Sequence, residues 1–564
     1  MNLLCYRTAH CRWRVILVLF ALIAVACSAA SQAAEPVDAW IDPQGIQGSL
    51  IIAGGGKLPP EIIDQFIKLA GGEQAHLVII PTASIRADQE DTAPLLESWQ
   101  QHKPASLTLL HTRSRDEANK AEFITPLTKA TGVWFLGGAQ SRLSAAYLDT
   151  AVEKELTALL KRGGVVGGSS AGAAIQSRLM IARGSDVAEL QAGFDLLPGT
   201  IIDQHFLARK RQPRLLGAVS KHPLKVGLGI DEGTALLVQG RLIKVLGRSS
   251  VTVCLAASKT KPALQRQVTG GQRLDLTALR RAARDRQDPV FPPKTLPPTR
   301  VAAGSLVIVG GGGLPMPIRK RFIELAGGPA ALIVVLPTAQ TDPLPEQVGQ
   351  KYFEEAGARN VQVLRARKRS DVESAEAAKL LKQAGGIWFG GGRQWRFVDA
   401  YENTSALPLI HAVLERGGVI GGSSAGASIQ AQYLVRGSPL TNRDMMAAGY
   451  ERGFGFLPGV AIDQHFAQRK RFSDMTAVMK AHPELLGIGI DESTALVVRG
   501  SKGEVWGKGQ VHLYDWRQPP VAGKPDHGSY PAKTRYDLVA RKVTFLPKIS
   551  PPDPADSGDK KQQD

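Results

Sequence analysis

The run Gly48-Ser-Leu-Ile-Ile-Ala-Gly-Gly-Gly56 decides the fold, because the chain writes it twice: it returns as Gly304-Ser-Leu-Val-Ile-Val-Gly-Gly-Gly312. Consecutive apolar residues running into glycines read as a strand buried on both faces that ends in a tight turn. Other stretches repeat at nearly the same distance. Residues 66–72 return as 322–328, Val133-Trp134-Phe135 as Ile387-Trp388-Phe389, and 167–173 as 421–427. Further on, Ile202-Asp-Gln-His-Phe206 returns as Ile462-Asp-Gln-His-Phe466, and Gly229-Ile-Asp-Glu232 as Gly489-Ile-Asp-Glu492. So long a period means a duplicated domain and not a solenoid.

Within each copy, short apolar runs alternate with amphipathic stretches. In the first copy, strands are expected at 50–53, 77–80, 107–110, 133–136 and 165–166, with helices at 59–70 and 148–160. Pro59 opens the first helix, and Gly71 follows its end. Strand–helix alternation with nearly continuous apolar strands implies a parallel sheet covered on both faces. The expected fold class is therefore α/β, with two tandem copies of a doubly wound, mostly parallel sheet. A last strand of copy one is expected around 270–278. The expected organisation is an export signal over 1–34, copy one over 35–284, a Pro-rich linker over 285–300, copy two over 301–550 and a disordered tail over 551–564.

Composition excludes several classes. With 43% hydrophobic residues in 564, the chain can bury real cores and is not a disordered protein. Only one strongly apolar run occurs, so it is not a multi-span membrane protein. The net charge of +18 invites a nucleic-acid reading, but the charge sits at the edges: +3 in 1–34, +7 in 256–300 and +3 in 516–564, leaving +5 for the rest. No nucleic-acid-binding motif accompanies it, so no nucleic-acid partner is expected. At the N-terminus, Arg7, Arg12 and Arg14 precede an apolar stretch at 15–26, and Ser31-Gln-Ala33 offers a cleavage pattern. The stretch reads as an export signal too short to span a bilayer comfortably, with an uncleaved N-terminal anchor and a lipoprotein site at Cys27 as the alternatives. Only Cys254 lies beyond this segment, so the exported chain has no intramolecular disulfide.

The chemistry is expected at matched places. Gly168-Ser-Ser-Ala-Gly172 and Gly422-Ser-Ser-Ala-Gly426 each follow a short apolar strand and precede an apolar helix start, the setting a nucleophile elbow needs. The central Ser170 and Ser424 then sit at a helix N-terminus, and the N–H of Ala171 or Ala425 offers one oxyanion donor. His205 and His465, in identical pentapeptides at an expected strand end, are the candidate bases. Arg209 and Arg211, with Arg469 and Arg471, can grip a carboxylate or form a solvated basic face. Gln140 and Gln394 each lie 30 residues before the serine, after a Gly-Gly strand end. No metal spacing, P-loop or dinucleotide fingerprint appears, so neither metal nor cofactor is expected.

On Gly-Gly-x-Gln, Gly-x-Ser-Ala-Gly-Ala and Asp-Gln-His-Phe-x-x-Arg-x-Arg, the chain resembles a tandem duplication of the cyanophycinase family over nearly all of 48–276 and 304–515. Those are serine peptidases related to aspartyl dipeptidases and to the class I glutamine-amidotransferase-like fold, itself flavodoxin-like. The resemblance implies Ser170 and Ser424 as nucleophiles and His205 and His465 as bases. It implies substrate-pocket roles for Gln140, Asp203, Gln204, Arg209 and Arg211, and for Gln394, Asp463, Gln464, Arg469 and Arg471. It implies as substrate cyanophycin, a poly-aspartate carrying arginine on its side-chain carboxylates, released as β-aspartyl-arginine. The third triad member would be an acid after the serine: Asp186 or Glu189 in copy one, Asp444 or Glu451 in copy two, with Glu189 and Asp444 taken first. A third arginine past the histidine fits Arg214, but Asp474 stands there in copy two, which marks one copy as weakened or tuned differently. A peptidase for short aspartyl peptides and a non-catalytic binder of acidic or arginine-rich peptides are the alternatives. The two copies are expected to pair as a family dimer would.

Overall fold

A computed structural model describes residues 43–345, 348–517 and 519–548. The expected export signal, Cys27 and the tail 551–564 lie outside them. Each copy is built on one large, mixed sheet. In copy one its spatial order is Arg273–Asp275, Leu242–Gly247, Thr234–Gln239, Ser49–Ala53, Val165–Ser169, Gly132–Phe135, His76–Ile80 and Ser106–Leu109. The five strands from Ser49–Ala53 onward are parallel, and the other three join antiparallel. Copy two repeats this in a nine-stranded sheet, with Ser305–Val309 and Val419–Ser423 at its centre.

Residues alternate between two cores along each central strand, which is why the strand reads as one apolar run. Leu50 and Ile52 pack with Phe135, Leu143 and Leu156 on one face. Ile51 and Ala53 pack with Ile62, Phe66 and Trp134 on the other. Helices on both faces thus make the sheet doubly wound. The helix Pro60–Ala70 has Pro at its start and stops at Gly71, whose φ of 112° is the left-handed conformation that favours glycine. Its Phe66 is fully buried and meets Trp134 edge-on at 5.0 Å. Burial of a side chain of this size contributes about 1.5–3 kcal/mol.

A smaller sheet in each copy carries the second half of the site. In copy one, Thr200–Gln204 runs parallel to Val226–Ile230, which continues antiparallel to Ser250–Leu255 and then Leu264–Thr269. The buried Cys254 lies here, and burial pushes its thiol up to about 12, so it is unreactive.

Two expected elements differ. The helix expected over 148–160 starts at Ala151, because Asp149 takes a φ of 57° that ends the preceding helix Gln140–Tyr147. The strand expected over 270–278 is only Arg273–Asp275. The Asp275 side chain then accepts the Ala278 N–H and caps a helix, Leu276–Gln287, that enters the expected linker. Leu276, Leu279, Ala282 and Ala283 pack into the copy-one core, and arginines occupy much of the remaining helix surface. The other copy covers part of that surface: buried Arg281 pairs with Asp399 and Glu402, and Arg241, outside the helix, pairs with Asp399 and Tyr450.

Candidate active site

The site forms where strands end, the usual place for ligands in an open parallel sheet. The central strand Val165–Ser169 turns sharply into the helix Ala171–Ala174, with Ser170 between them at φ 54° and ψ −107°. Ser424 repeats this at 57° and −114°. The turn demands small neighbours: a Cβ at Gly168 would stand 2.3 Å from the Gly172 carbonyl oxygen, and one at Gly422 the same distance from that of Gly426. A strained serine of this kind persists only where its surroundings dictate it. Ala171 and Ala425 are the first helical residues, so their N–H groups have no intrahelical acceptor.

His205 follows the strand Thr200–Gln204 of the smaller sheet, and its N–H is pinned to the Gly54 carbonyl at 2.8 Å. Asp231 holds the next turn by accepting from the Leu207 and Ala208 N–H groups, each at 3.0 Å. This brings the two sheets together at one point. His205 Nε2 lies 2.8 Å from Ser170 Oγ, and its Nδ1 lies 2.6 Å from Glu232 Oε1. In copy two, His465 Nε2 lies 3.0 Å from Ser424 Oγ, and Nδ1 lies 2.5 Å from Glu492 Oε1. A carboxylate only accepts, so Nδ1 carries the proton and Nε2 presents its lone pair to the serine O–H.

Burial lowers the pKa of both histidines. The carboxylate of Glu232 or Glu492 pulls it up, and the cations Arg209 and Arg211, or Arg469 and Arg471, push it down. The net effect is downward, which keeps the ring neutral below the ordinary histidine range. The glycine runs at 54–56 and 310–312 make room for this pair. A Cβ at Gly55 (φ 105°) would stand 2.4 Å from His205 Cε1, and one at Gly311 would stand 2.3 Å from His465 Cε1.

The acid beside each histidine is not the one expected. Glu189 sits on an exposed hairpin and pairs with Arg183 at 2.7 Å. Asp444 lines a groove of 140 Å³ between the copies, beside Leu440 and Ala447. Asp186 is exposed, and Glu451 accepts from the Tyr433 hydroxyl. Glu232 and Glu492 stand instead at the end of the strand parallel and adjacent to the histidine's own. The signal for them was the repeat itself: both acids lie 27 residues past the histidine, in a tetrapeptide that returns at the same offset as the histidine pentapeptide.

The other expected positions surround this core in different states. Gln140 Nε2 donates to the Ile181 and Ala182 carbonyls, and Gln394 Nε2 to Val435. Both amides therefore brace the neighbouring segment. Asp203 and Asp463 are fully buried and taken up by arginines. Arg214 grips Asp203 through Nε at 2.8 Å and Nη2 at 2.5 Å, and Arg211 adds a longer contact at 3.4 Å. Asp463 is held by Arg471 at 2.8 Å and by Arg436 at 3.0 Å. Breaking a buried pair of this kind by removing one partner costs about 3–5 kcal/mol. The Oε1 atoms of Gln204 and Gln464 are buried without a hydrogen-bond partner. Arg209 and Arg469 are exposed at the rim. Among the described residues, no group of three or more His, Cys, Asp or Glu could hold a metal ion, and no helix is long and apolar enough to cross a membrane.

The model of peptidase family S51 matches residues 50–246 and again 306–506. The cyanophycinase of Trichormus variabilis is 32% identical over 230 residues, which is 39% of this chain and 76% of that protein. The cyanophycinase of Geminocystis herdmanii is 33% identical over 204 residues, covering 35% and 74%. Among solved structures, a peptidase from an acI-B1 actinobacterium is 26% identical, with a TM-score of 0.34, over 42% of this chain and 98% of that one.

Proposed function

Because the chain belongs to peptidase family S51 and is a serine-type peptidase, we propose that it is an exported hydrolase that cleaves cyanophycin to β-aspartyl-arginine, using a Ser–His–Glu relay in each copy. The observation that carries this reading is the unbroken chain of hydrogen bonds Ser170–His205–Glu232, met again as Ser424–His465–Glu492.

The steps follow from the groups present. The serine O–H donates to histidine Nε2, and as Oγ attacks the scissile carbonyl the imidazole takes the proton. Glutamate holds the ring by Nδ1–H and stabilises the imidazolium that forms. The Ala171 or Ala425 N–H, at a helix start, faces the developing oxyanion. The imidazolium then protonates the leaving amine, and water releases the acyl group by the same route in reverse. Strain at the serine holds Oγ out at the turn, so little reorganisation is needed. The rim cations Arg209 and Arg469 suit a substrate rich in carboxylates. That chemistry, with relatives named cyanophycinases, favours this polymer over short aspartyl peptides.

Purified protein incubated with cyanophycin is expected to release β-aspartyl-arginine, measured by chromatography with mass detection. The Ser170→Ala/Ser424→Ala protein is expected to lose activity by about 10⁴-fold or more. Turnover of α- and β-linked aspartyl dipeptides, but not of the polymer, would transfer the assignment to short peptides.

A further inference from the structure

The two copies hold the buried aspartate under the histidine turn by different means. In copy one its main partner, Arg214, lies on the helix Gln212–Lys221 of the same small domain. Arg214 also donates to the Gly184 carbonyl of the hairpin Leu179–Ala192. That hairpin faces solvent: Val187 is 68% exposed, and among the described residues none of 179–192 makes a hydrogen bond or ion pair to copy two.

In copy two the equivalent helix position is Asp474, and the arginine arrives from elsewhere. Arg436 lies just past the strand Ala431–Tyr433, at a φ of 57°. Its guanidinium donates to both Asp463 oxygens and to Asp474 at 2.6 Å. It also donates to the Asn442 carbonyl at 2.7 Å, binding its own segment into a loop. Gln394 and Arg393 fasten the same segment through the Val435 and Ser438 carbonyls.

The far end of this segment rests on copy one. A Cβ at Gly449 would stand 2.6 Å from the Ala278 carbonyl oxygen, so the backbone lies directly on the helix Leu276–Gln287. The Tyr450 hydroxyl receives a hydrogen bond from Arg241 of copy one at 2.6 Å and donates to Asp399 at 2.7 Å. Arg281 of copy one stacks on the Tyr450 ring at 4.9 Å. Arg452 reaches Asp288 at 3.3 Å.

We propose that copy one is a working part of the copy-two site: Arg241 and Arg281 clamp the segment 436–452, the clamp sets Arg436 against Asp463, and Arg436 is thereby a positioning residue for the His465 turn. The dependence runs one way, because copy one carries its own arginine on its own helix. The inference rests on the proteolytic reading above for its kinetic test, and on geometry alone for its structural one.

Two parent proteins separate the sites. Ser170→Ala leaves only copy two to turn over, and Ser424→Ala only copy one. Arg241→Met is expected to lower kcat/KM of the Ser170→Ala parent by roughly tenfold to a hundredfold, and to change the Ser424→Ala parent by less than about twofold. Arg436→Met/Asp474→Arg rebuilds the copy-one arrangement in copy two. It is expected to keep activity within about threefold of its parent and to remove the sensitivity to Arg241→Met, whereas Arg436→Met alone loses activity. Amide exchange over 463–471 reads the coupling without turnover: Arg241→Met is expected to speed it and to leave 203–211 unchanged. Equal effects on both parents, no effect on either, or exchange unaltered in 463–471 overturn the proposal. If neither parent cuts the polymer while exchange in 463–471 still responds, the coupling stands and the substrate assignment falls.

Discussion

Behind the serine and histidine, the two copies part company. In copy one, Asp203 is held by Arg214 from a helix that begins seven residues past the histidine; in copy two, Asp463 is held by Arg436 from a segment that lies before the histidine and leans on the neighbouring domain. Ahead of that layer the copies agree within a few tenths of an ångström: 2.8 and 2.6 Å in one, 3.0 and 2.5 Å in the other. Duplication has left the Ser–His–Glu geometry alike and exchanged the supports beneath it. The chemistry needs two hydrogen bonds of fixed geometry, so its residues are constrained directly. The support needs only a cation against a buried carboxylate, and any element that can deliver one will serve.

The comparison breaks most sharply at the glutamates. Glu232→Gln in the Ser424→Ala parent and Glu492→Gln in the Ser170→Ala parent are each expected to lower kcat by about 10²–10⁴, as an amide can no longer fix the imidazole tautomer. Glu189→Gln and Asp444→Asn are expected to change it by less than about twofold. Steady-state kinetics on the four proteins decides it, and a loss in one copy only would end the equivalence of the two relays.

A smaller loss is expected from the glycines that flank the histidine rings. Gly55→Ala and Gly311→Ala place a methyl group 2.4 and 2.3 Å from a ring carbon, so the ring must turn away from the serine. A displacement near 1 Å costs on the order of 10–10² in rate. Circular dichroism showing intact folds, with kcat reduced in both parents, is the expected pair of results. Unchanged kcat would show that the rings have room to move.

The gentlest probe is pH. Burial lowers both histidine pKa values, and the rim cations Arg209 and Arg469 lower them further. With the histidine as the proposed base, the lowered value is expected to keep the ring neutral and activity in place to lower pH. Removing the cation by Arg209→Gln or Arg469→Gln raises the histidine pKa, so the acidic limb of the kcat/KM profile is expected to move to higher pH in the corresponding parent. A limb that stays in place would show that solvent screens the arginine from the ring.

Much of this was legible in the chain. Apolar runs at 50–53 and 306–309 announced central strands because a strand covered on both faces has no polar side to show. The pentapeptides at 202–206 and 462–466 announced the histidines because their setting repeated. The glutamates repeat as well, but spacing alone assigns them no role. Carboxylates 27 residues past a histidine lie near it only because parallel strands from Thr200 and Val226 end side by side. The helix Leu276–Gln287 is hidden in the sequence because its arginines find partners only in the folded chain: Arg281 on Asp399 and Glu402 of the second copy, Arg280 on the Pro198 carbonyl and Arg286 on that of Ala256.

Duplication, sheet class and the matched settings of the serines and histidines are local or periodic properties, written in residue type and spacing, and folding could only execute them. Which carboxylate meets the imidazole, which arginine neutralises a buried aspartate, and which copy braces the other depend on side chains far apart in the chain coming within hydrogen-bonding distance. Spacing along a polymer does not encode that distance; packing of sheets and helices sets it.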